Sequence, residues 1–321
     1  MRLVSTNNVI QKYKQMKKTT LILIVILLEY FIGSAQNDIQ FSNFMFNKLS
    51  FNPATASYND FSGSLTARQQ WTGLNEAPCS QMLNVHTTFE KLGGIGLSVI
   101  NDKLGYENSI NAHLIYARNF MLSEKAFFSV GAGIGLTNKS FDYSKLIFEE
   151  QGDQNASKAL NDETKPDFCF GLTFNTSNFT VALSSTHLTK SLDKSTLYKT
   201  PRHYYIFSSY EIKTSDKVDI IPSIFIKSST FITQYEINTN TFYNDKFWIG
   251  LSYRINDSYI GLIGFNITKN LRLAYSYDIN ANDLSSYSNG SHEFMLLFSA
   301  NEFKRDFTTK SSSFFYSPES E

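Results

Sequence analysis

The chain has 321 residues, of which 15% are aromatic and 18% are charged, with 28 Phe and 18 Tyr but only 6 Pro. This composition favours many aromatic-rich strands over a helical protein, and the length allows one large domain or two ordinary ones. The formal net charge is zero, and without the first 35 residues 24 basic and 28 acidic residues remain, or about −4. That balance offers no basic face and excludes nucleic acid as a partner.

The N-terminus carries the pattern of a secretory signal peptide. A basic start at 16–18 precedes a short apolar run over 21–32, and small residues at 33–35 provide a cleavage site. The run is too short, and lies too close to the cleavage site, for a membrane-spanning helix. We therefore predict an N-terminal extension and signal peptide at 1–35, with a retained anchoring helix as the alternative.

The clearest strand pattern lies at 128–137. Alternate residues from Phe128 to Leu136 are apolar, whereas those from Ser129 to Thr137 are Ser, Gly or Thr. Successive side chains of a strand point to opposite sides, so this segment has one apolar face and one small, weakly polar face. An uncharged second face of this kind is typical of a barrel wall whose apolar face meets lipid.

Alternation of this kind recurs along the chain after residue 36. No later apolar run approaches the ~20 residues that a spanning helix needs, so a membrane-spanning chain would have to form a closed barrel. The alternating segments lie near 61–70, 81–89, 94–100, 108–118, 126–137, 167–175, 178–187, 203–212, 217–227, 231–240, 246–255, 258–267, 270–279 and 291–300. Their number, about 14, is even, as in single-chain outer-membrane barrels.

We therefore predict an all-β fold, a transmembrane antiparallel β-barrel over 61–303 followed by a flexible tail at 304–321. Arg272 and Asp278 share one face of their strand, which we predict to be lumenal. Segment 217–227 is weaker, because Pro222 interrupts the ladder and its isoleucines fall on both faces.

The connections between the predicted strands also alternate in length. Long connections at 138–166, 188–202 and 280–290 follow odd-numbered strands, whereas tight polar turns follow even-numbered ones. Barrels with short periplasmic turns and long outer loops have this pattern when both termini are periplasmic.

Several short motifs near the N-terminus resemble a known family. They are Gln40-Phe41-Ser42, Met45-Phe46-Asn47 with Leu49-Ser50, Asn52-Pro53-Ala54, Gln70-Trp71-Thr72-Gly73 with Ala77-Pro78, and 96–99 with Asn101-Asp102-Lys103 and Gly105. Together they resemble the PorP/SprF family of type IX secretion system outer-membrane proteins. The chain departs from the family at Lys48, Ser57, Glu76 and Cys79, where proline, glycine, glycine and a polar or basic residue are usual.

The resemblance implies an outer-membrane protein of a Bacteroidota-type bacterium that takes part in type IX secretion. Implied partners are periplasmic ring lipoproteins and motor components, secreted cargo or surface adhesins such as gliding adhesins, and outer-membrane lipid. From topology we expect loops 71–79 and 138–166 to meet cargo or surface subunits. Within a periplasmic entry segment at 36–60, we expect 38–56, together with the periplasmic turns, to meet periplasmic partners. The candidate interaction residues are Gln40, Phe41, Ser42, Met45, Asn47, Asn52, Pro53, Trp71, Gly73, Pro78, Asn101 and Asp102.

A simpler role for the same residues is structural. The phenylalanines of 36–60 could pack as an apolar plug or rim that closes the periplasmic mouth, Asn52-Pro53 is a turn-forming pair, and Trp71 is placed as an interfacial aromatic. We favour this structural role over direct binding of a partner by these residues.

Residues for catalysis or metal binding are not evident in the sequence. The histidines are scattered, and none lies beside an evident carboxylate pair; they are His86, His113, His187, His203 and His292. Cys79 and Cys169 lack metal or disulfide spacing. We therefore expect no enzyme, cofactor or metal site. The alternatives to a secretion component are a passive porin or small-molecule transporter and, more remotely, a soluble β-sandwich.

Overall fold

A computed structural model describes residues 38–58, 61–89, 91–142, 163–189, 200–229 and 232–300. The predicted signal peptide and the predicted C-terminal tail both lie outside these ranges. Within the described ranges, the structure contains no helix of the length and apolar character that would carry it across a membrane.

Antiparallel strands account for most of the described chain. They are β1 (Phe61–Gln69), β2 (Cys79–Phe89), β3 (Gly93–Leu104), β4 (Glu107–Ser123), β5 (Ala126–Phe141), β6 (Glu163–Thr176), β7 (Phe179–Thr186), β8 (His203–Tyr210), β9 (Ile212–Ser215), β10 (Val218–Ser228), β11 (Thr233–Tyr243), β12 (Phe247–Arg254), β13 (Ser258–Asn266), β14 (Leu271–Asn280) and β15 (Ser291–Ser299). Strands β8 and β9 are two halves of one strand that is interrupted at Glu211, and both pair with β10. The described wall therefore has fourteen strands.

The sheet closes on itself. When β8 and β9 are counted as one strand, each strand pairs with its neighbour in sequence, and β15 returns to pair with β1, with Ser62 opposite Ser299 and Gln69 opposite His292. Closure leaves no open strand edge, which a chain surrounded by lipid requires. The predicted fourteen-stranded antiparallel barrel is confirmed.

The two faces of the wall are those that the alternation predicts. In β5, Ile134 and Leu136 face outward and are 62% and 55% exposed, whereas Ser129 and Thr137 are buried inside. In β14, Arg272 and Asp278 are both buried on the lumenal face. The outward apolar side chains form a belt that lipid would cover.

Strand β10 is more regular than the sequence indicates. It pairs with β11 along its whole length, including Pro222 opposite Thr239. On its other side, the register pairs with β8 end at Ser223 and those with β9 resume at Ile220, so Pro222 lies opposite the interruption at Glu211. Proline tolerates such a position because one ladder hydrogen bond is already missing at a bulge.

The barrel has one end with long connections, here called the loop end, and one with short connections, the turn end. Long connections over 70–78, 142–162, 187–202 and 281–290 all join strands at the loop end. The predicted loop 138–166 is shorter than expected, because β5 and β6 extend into it as far as Phe141 and Glu163.

Residues 38–58, here called the plug segment, lie inside the lumen. They include two short 3-10 turns, Lys48–Ser50 and Pro53–Ser57, and most of their side chains are buried. The main apolar core of the described chain is therefore in the barrel interior, where plug residues such as Phe44 and Phe51 pack against wall residues such as Phe207 and Trp248.

Candidate functional site

The plug segment connects the two ends of the barrel. It begins at the loop end, where the backbone N–H of Asp38 lies 3.2 Å from Nε2 of His203. It finishes at the turn end, where Asn175 Nδ2 donates to the Tyr58 hydroxyl at 2.8 Å just before β1 begins. The expectation that this segment sits at one mouth of the barrel needs correction, because it extends through the lumen from the loop end to the turn end.

Five buried ionic side chains form a charge cluster in the lumen at the loop end: Arg68, Glu236, Arg254, Asp278 and Glu293. Arg68 contacts Asp278 at 2.7 Å and Glu293 at 3.3 Å, and Arg254 contacts Glu236 at 2.8 Å and Asp278 at 3.4 Å. Buried charges need partners of this kind, because removal from water costs several kcal/mol per ion. The three carboxylates outnumber the two guanidinium groups, so the cluster keeps acceptor capacity for the plug.

Backbone and side-chain groups of the plug both donate hydrogen bonds to the carboxylates of the charge cluster. The backbone N–H groups of Ser42 and Asn43 donate to the two carboxylate oxygens of Glu293, at 2.7 and 2.9 Å. The Ser42 hydroxyl donates to Asp278 at 2.8 Å, and the Gln40 amide donates to Glu236. Hydrogen bonds to ionised acceptors are among the stronger ones, so the charge cluster fastens the plug at the loop end.

Three histidines that are far apart in sequence meet beside Asp38 and Asp167. His187 contacts Asp38 at 3.2 Å through Nε2 and Asp167 at 2.7 Å through Nδ1. His203 lies 3.2 Å from the Asp38 carboxylate, and His113 lies 3.0 Å from that of Asp167. The expectation of scattered histidines without carboxylate partners is wrong for these three, since the barrel brings β4, β6, β7 and β8 to one place.

Electrostatics in this histidine cluster depend on its carboxylates. Burial alone would lower the pKa of His187, but Asp38 and Asp167 raise it to about 10. Burial alone would raise the pKa of Asp38, but His203, His187 and Lys227 hold it well below its ordinary value. The space between Asp38 and Asp167 therefore favours a positive charge.

Aromatic rings fill the lumen between the histidine cluster and the turn end. Phe44 stacks on Phe225 with ring centroids 4.8 Å apart, and Phe51 lies 4.9 Å from the same ring. Phe46 packs 4.8 Å from Trp248 of β12. The predicted packing of these phenylalanines as an apolar plug is confirmed, and the plug lies deeper than the mouth.

On the β3–β6 side, the turn Pro53–Ser57 lies directly against the wall. A Cβ atom added at Gly131 would overlap the backbone of Pro53 and Ala54, and one added at Gly94 would overlap that of Ala56. Glycine is needed at both wall positions because backbone approaches backbone. The small inner face of β5 thus accommodates the plug.

Asn52 positions this turn. Its amide donates to the carbonyl oxygens of Leu172 at 3.1 Å and Leu183 at 3.2 Å, while its Oδ1 accepts from the N–H of Ala54 at 3.0 Å. It is thus the N-cap of the turn, and Pro53 occupies the first position, where its missing N–H costs nothing.

The structure separates the predicted interaction residues into groups. Those of the plug, Gln40, Phe41, Ser42, Met45, Asn47, Asn52 and Pro53, are buried in the lumen. Trp71, Gly73 and Pro78 lie in the 70–78 connection, where the N–H of Thr72 donates to Gly290 O at 2.8 Å and so joins two loops. Asn101 and Asp102 lie at the loop end of β3, with Asp102 accepting from Ser80 at 2.7 Å.

Sequence reasoning missed Glu236, Arg254 and Glu293 of the charge cluster and Asp38 of the histidine cluster. A signal for the first three was available, because each is an isolated charge at an inward-facing position of a strand. Their meeting with the plug was not readable from local pattern, since Ser42 and Glu293 are 251 residues apart in the chain.

Comparisons with known proteins agree with this architecture. Residues 33–298 match the family described as type IX secretion system membrane protein PorP/SprF. No curated protein matches the chain.

Among solved structures, the Ralstonia pickettii toluene transporter TbuX is similar, with a TM-score of 0.50 and 9% identity, over 80% of this chain and 94% of that one. The Acinetobacter baumannii outer membrane protein Omp33 gives a TM-score of 0.45 and 11% identity, over 76% and 99% of the two chains. The likeness to TbuX shows a shared outer-membrane β-barrel fold.

Proposed function

Because the chain belongs to the PorP/SprF family of type IX secretion system membrane proteins, we propose that it anchors periplasmic ring or motor components at the outer membrane and supports secretion of specific cargo, such as gliding adhesins. Its family and fold are those of a membrane component of a secretion system rather than those of an enzyme. The proposal includes export through a cleaved signal peptide and insertion into the outer membrane.

The observation that carries this proposal is the occupied lumen. The plug segment is held by the charge cluster at the loop end, by stacked aromatic rings in the middle and by backbone contact with β3–β6. The cavities beside it at the histidine cluster are about 70 Å³ each. A barrel filled in this way favours an anchoring or docking role over free passage of solutes through the lumen.

With the lumen filled, partner proteins would bind at the two ends of the barrel. We assign periplasmic partners to the turn end, with its exposed charges at Lys91, Glu124 and Lys125, because burial of 38–56 leaves little of that segment for a partner to reach. Cargo or surface subunits are assigned to loops 71–79 and 138–166. Of the second loop, 143–162 lies outside the described residues.

A pull-down tests the docking assignment. The tagged protein is purified from detergent-solubilised outer membranes, and co-purifying proteins are identified by mass spectrometry. Periplasmic ring lipoproteins should co-purify with the wild type and be lost when Glu124 and Lys125 are both replaced by Ser. The matched control replaces Glu76 and Lys103, an exposed ion pair of 3.7 Å at the loop end, and should keep them. Recovery of no secretion component with the wild type would contradict the proposal.

Planar-bilayer recording tests it against a passive channel. The wild type should show no steady conductance, because the plug fills the lumen, whereas deletion of 38–58 should open an aqueous path. A steady wild-type conductance of the same size as that of the deletion would favour a porin or small-molecule transporter.

A further inference from the structure

The histidine cluster contains a group of side chains that the docking role does not use. Asp38 comes from the plug, His187 follows β7 and His203 begins β8, and one potential ligand atom from each lies within 4.8 Å of the others. We propose that Asp38, His187 and His203 bind a zinc ion and thereby link the start of the plug to the barrel wall.

Two of the three distances between ligand atoms fit a tetrahedral site. Zinc bonds to imidazole nitrogen and carboxylate oxygen are about 2.0–2.2 Å long, so two tetrahedral ligands lie roughly 3.3 Å apart. His187 Nε2 and His203 Nδ1 are each 3.2 Å from Oδ2 of Asp38. The third pair, the two histidine nitrogens, lies within 4.8 Å, so zinc binding requires side-chain shifts that bring these nitrogens closer together.

A second layer of hydrogen bonds orients the central imidazole. His187 Nδ1 lies 2.7 Å from Asp167 Oδ2, so a proton on Nδ1 directs the unprotonated Nε2 toward Asp38. Asp167 is itself held by His113 at 3.0 Å and by the backbone N–H of Phe168 at 2.8 Å. A carboxylate behind a ligating histidine is the usual support of protein zinc sites, because it fixes the tautomer and raises ligand basicity.

Charge and access also fit a bound cation. With neutral imidazoles, Asp38 and Asp167 supply two negative charges, and Lys227, which donates to the Asp38 carbonyl at 2.6 Å, supplies one positive charge. The Asp38 side chain is 30% exposed and borders two cavities of about 70 Å³ each. A water molecule needs roughly 10–15 Å³, so either cavity has room for a water as fourth ligand.

Several features oppose the ion and indicate modest affinity. The ion must displace the proton that Asp38 and Asp167 favour on His187, and it shares Asp38 Oδ2 with the Tyr205 hydroxyl, which donates to it at 3.0 Å. Lys227 repels a dication, and ligation through Nδ1 of His203 places the proton on Nε2, which ends the 3.2 Å contact from the N–H of Asp38. We therefore expect a dissociation constant in the micromolar rather than the picomolar range. The competing arrangement is a proton on His187 that joins Asp38 to Asp167 without any metal.

Zinc retention by the full-length chain tests the proposal. Protein without an oligohistidine tag is purified in detergent, dialysed to equilibrium against zinc sulfate at a concentration above the expected dissociation constant, and assayed by mass spectrometry for zinc in excess of the dialysis buffer. The wild type should retain about one zinc per chain, and Asp38→Asn, His187→Gln and His203→Gln should each bind at least tenfold more weakly in titrations. Asp38→Asn leaves every wall residue unchanged, and heat-modifiable electrophoretic mobility checks that the barrel is folded.

His292→Gln is the matched control. His292 lies on β15, where a ring nitrogen is 2.7 Å from the Tyr275 hydroxyl and away from the cluster, so this variant should retain zinc like the wild type. Wild-type protein that keeps no more zinc than His187→Gln would overturn the proposal. Equal retention by all variants would overturn it too, because the ion would then bind elsewhere. Neither outcome bears on the secretion role, which the pull-down tests separately.

Discussion

The two sides of the lumen hold the plug in different ways. On the β3–β6 side, glycines such as Gly131 and Gly94 let the plug backbone lie directly on the wall. On the opposite side, β1 and β11–β15 reach the plug with long side chains, among them Arg68, Glu293 and Trp248. The plug backbone therefore lies closer to the β3–β6 side of the wall. We expect mutations on the two sides to have different effects on stability and on the position of the plug.

The difference teaches which interactions position the plug. Contact on the glycine side is steric and short-ranged, so its requirement is space. Contact on the charged side depends on desolvated ion pairs, whose attraction roughly offsets the cost of burial but whose disruption leaves an unpaired charge. We expect removal of a charge to lower the free energy of unfolding more, and a larger side chain on the glycine side to displace the plug more.

The largest effect is expected from Arg68→Leu. This change leaves Asp278 and Glu293 buried with less positive charge around them, which typically costs about 3–5 kcal/mol of unfolding free energy. Urea denaturation in detergent measures it. Lys103→Leu removes a partner from an exposed ion pair and should cost less than about 1 kcal/mol. Similar losses for both variants would show that burial does not govern the charged side.

Gly131→Val tests the glycine side. The new side chain would overlap the backbone of Pro53 and Ala54, and overpacking of this kind costs about 1–3 kcal/mol. The plug should move away from the wall, so trypsin should cut after Lys48 more rapidly than in the wild type. Gly261→Val adds the same side chain on the outer face, where nothing lies within 4 Å of the new Cβ, and should leave cleavage unchanged. Unchanged cleavage in Gly131→Val would mean that the plug does not depend on this contact.

Asn52→Ala should have an intermediate effect. It removes the N-cap of the Pro53–Ser57 turn and the bonds to Leu172 and Leu183, for a loss of about 1–2 kcal/mol. Asn282 caps another 3-10 turn in the 281–290 connection, and Asn282→Ala serves as the control. Both variants are compared by denaturation and by cleavage after Lys48, which only Asn52→Ala should accelerate. Faster cleavage in the Asn282 variant would indicate a general loosening of the barrel.

The smallest effect is expected at Lys48, the first residue of the 3-10 turn Lys48–Ser50 of the plug. Burial lowers its pKa to about 8, so the folded state disfavours the charged amine. Between pH 8 and the ordinary pKa near 10.4 the unfolded chain binds the extra proton, and the stability of the wild type should therefore rise with pH across this range. Lys48→Met removes the titrating group and should flatten this part of the pH profile. Because Lys48 is only half-buried, the change should be small, and a profile that falls with pH in the wild type would contradict the assignment.

Local pattern was sufficient for the wall of this barrel. Strand segments, their inward and outward faces and the alternation of long and short connections all follow from a period of two and from turn residues, which depend on near neighbours in the chain. Even β10 with Pro222 was located, although its regular pairing depends on the interruption at Glu211 in the neighbouring strand. The motifs at 40–54 and 70–78 also pointed to the family that the match over 33–298 establishes.

The sequence indicated that phenylalanines of 36–60 could form a plug or rim, but the arrangement of the interior was decided by tertiary structure. The plug, the charge cluster and the histidine cluster join residues far apart in sequence, such as Asp38 with His203 at a separation of 165 and Ser42 with Glu293 at 251. Alternation shows that a side chain points inward, but closure of the barrel decides which inward side chains meet. The sequence by itself therefore determined a lipid-facing cylinder and the apolar character of its plug, and only the closed sheet determined how deep the plug lies and which side chains hold it.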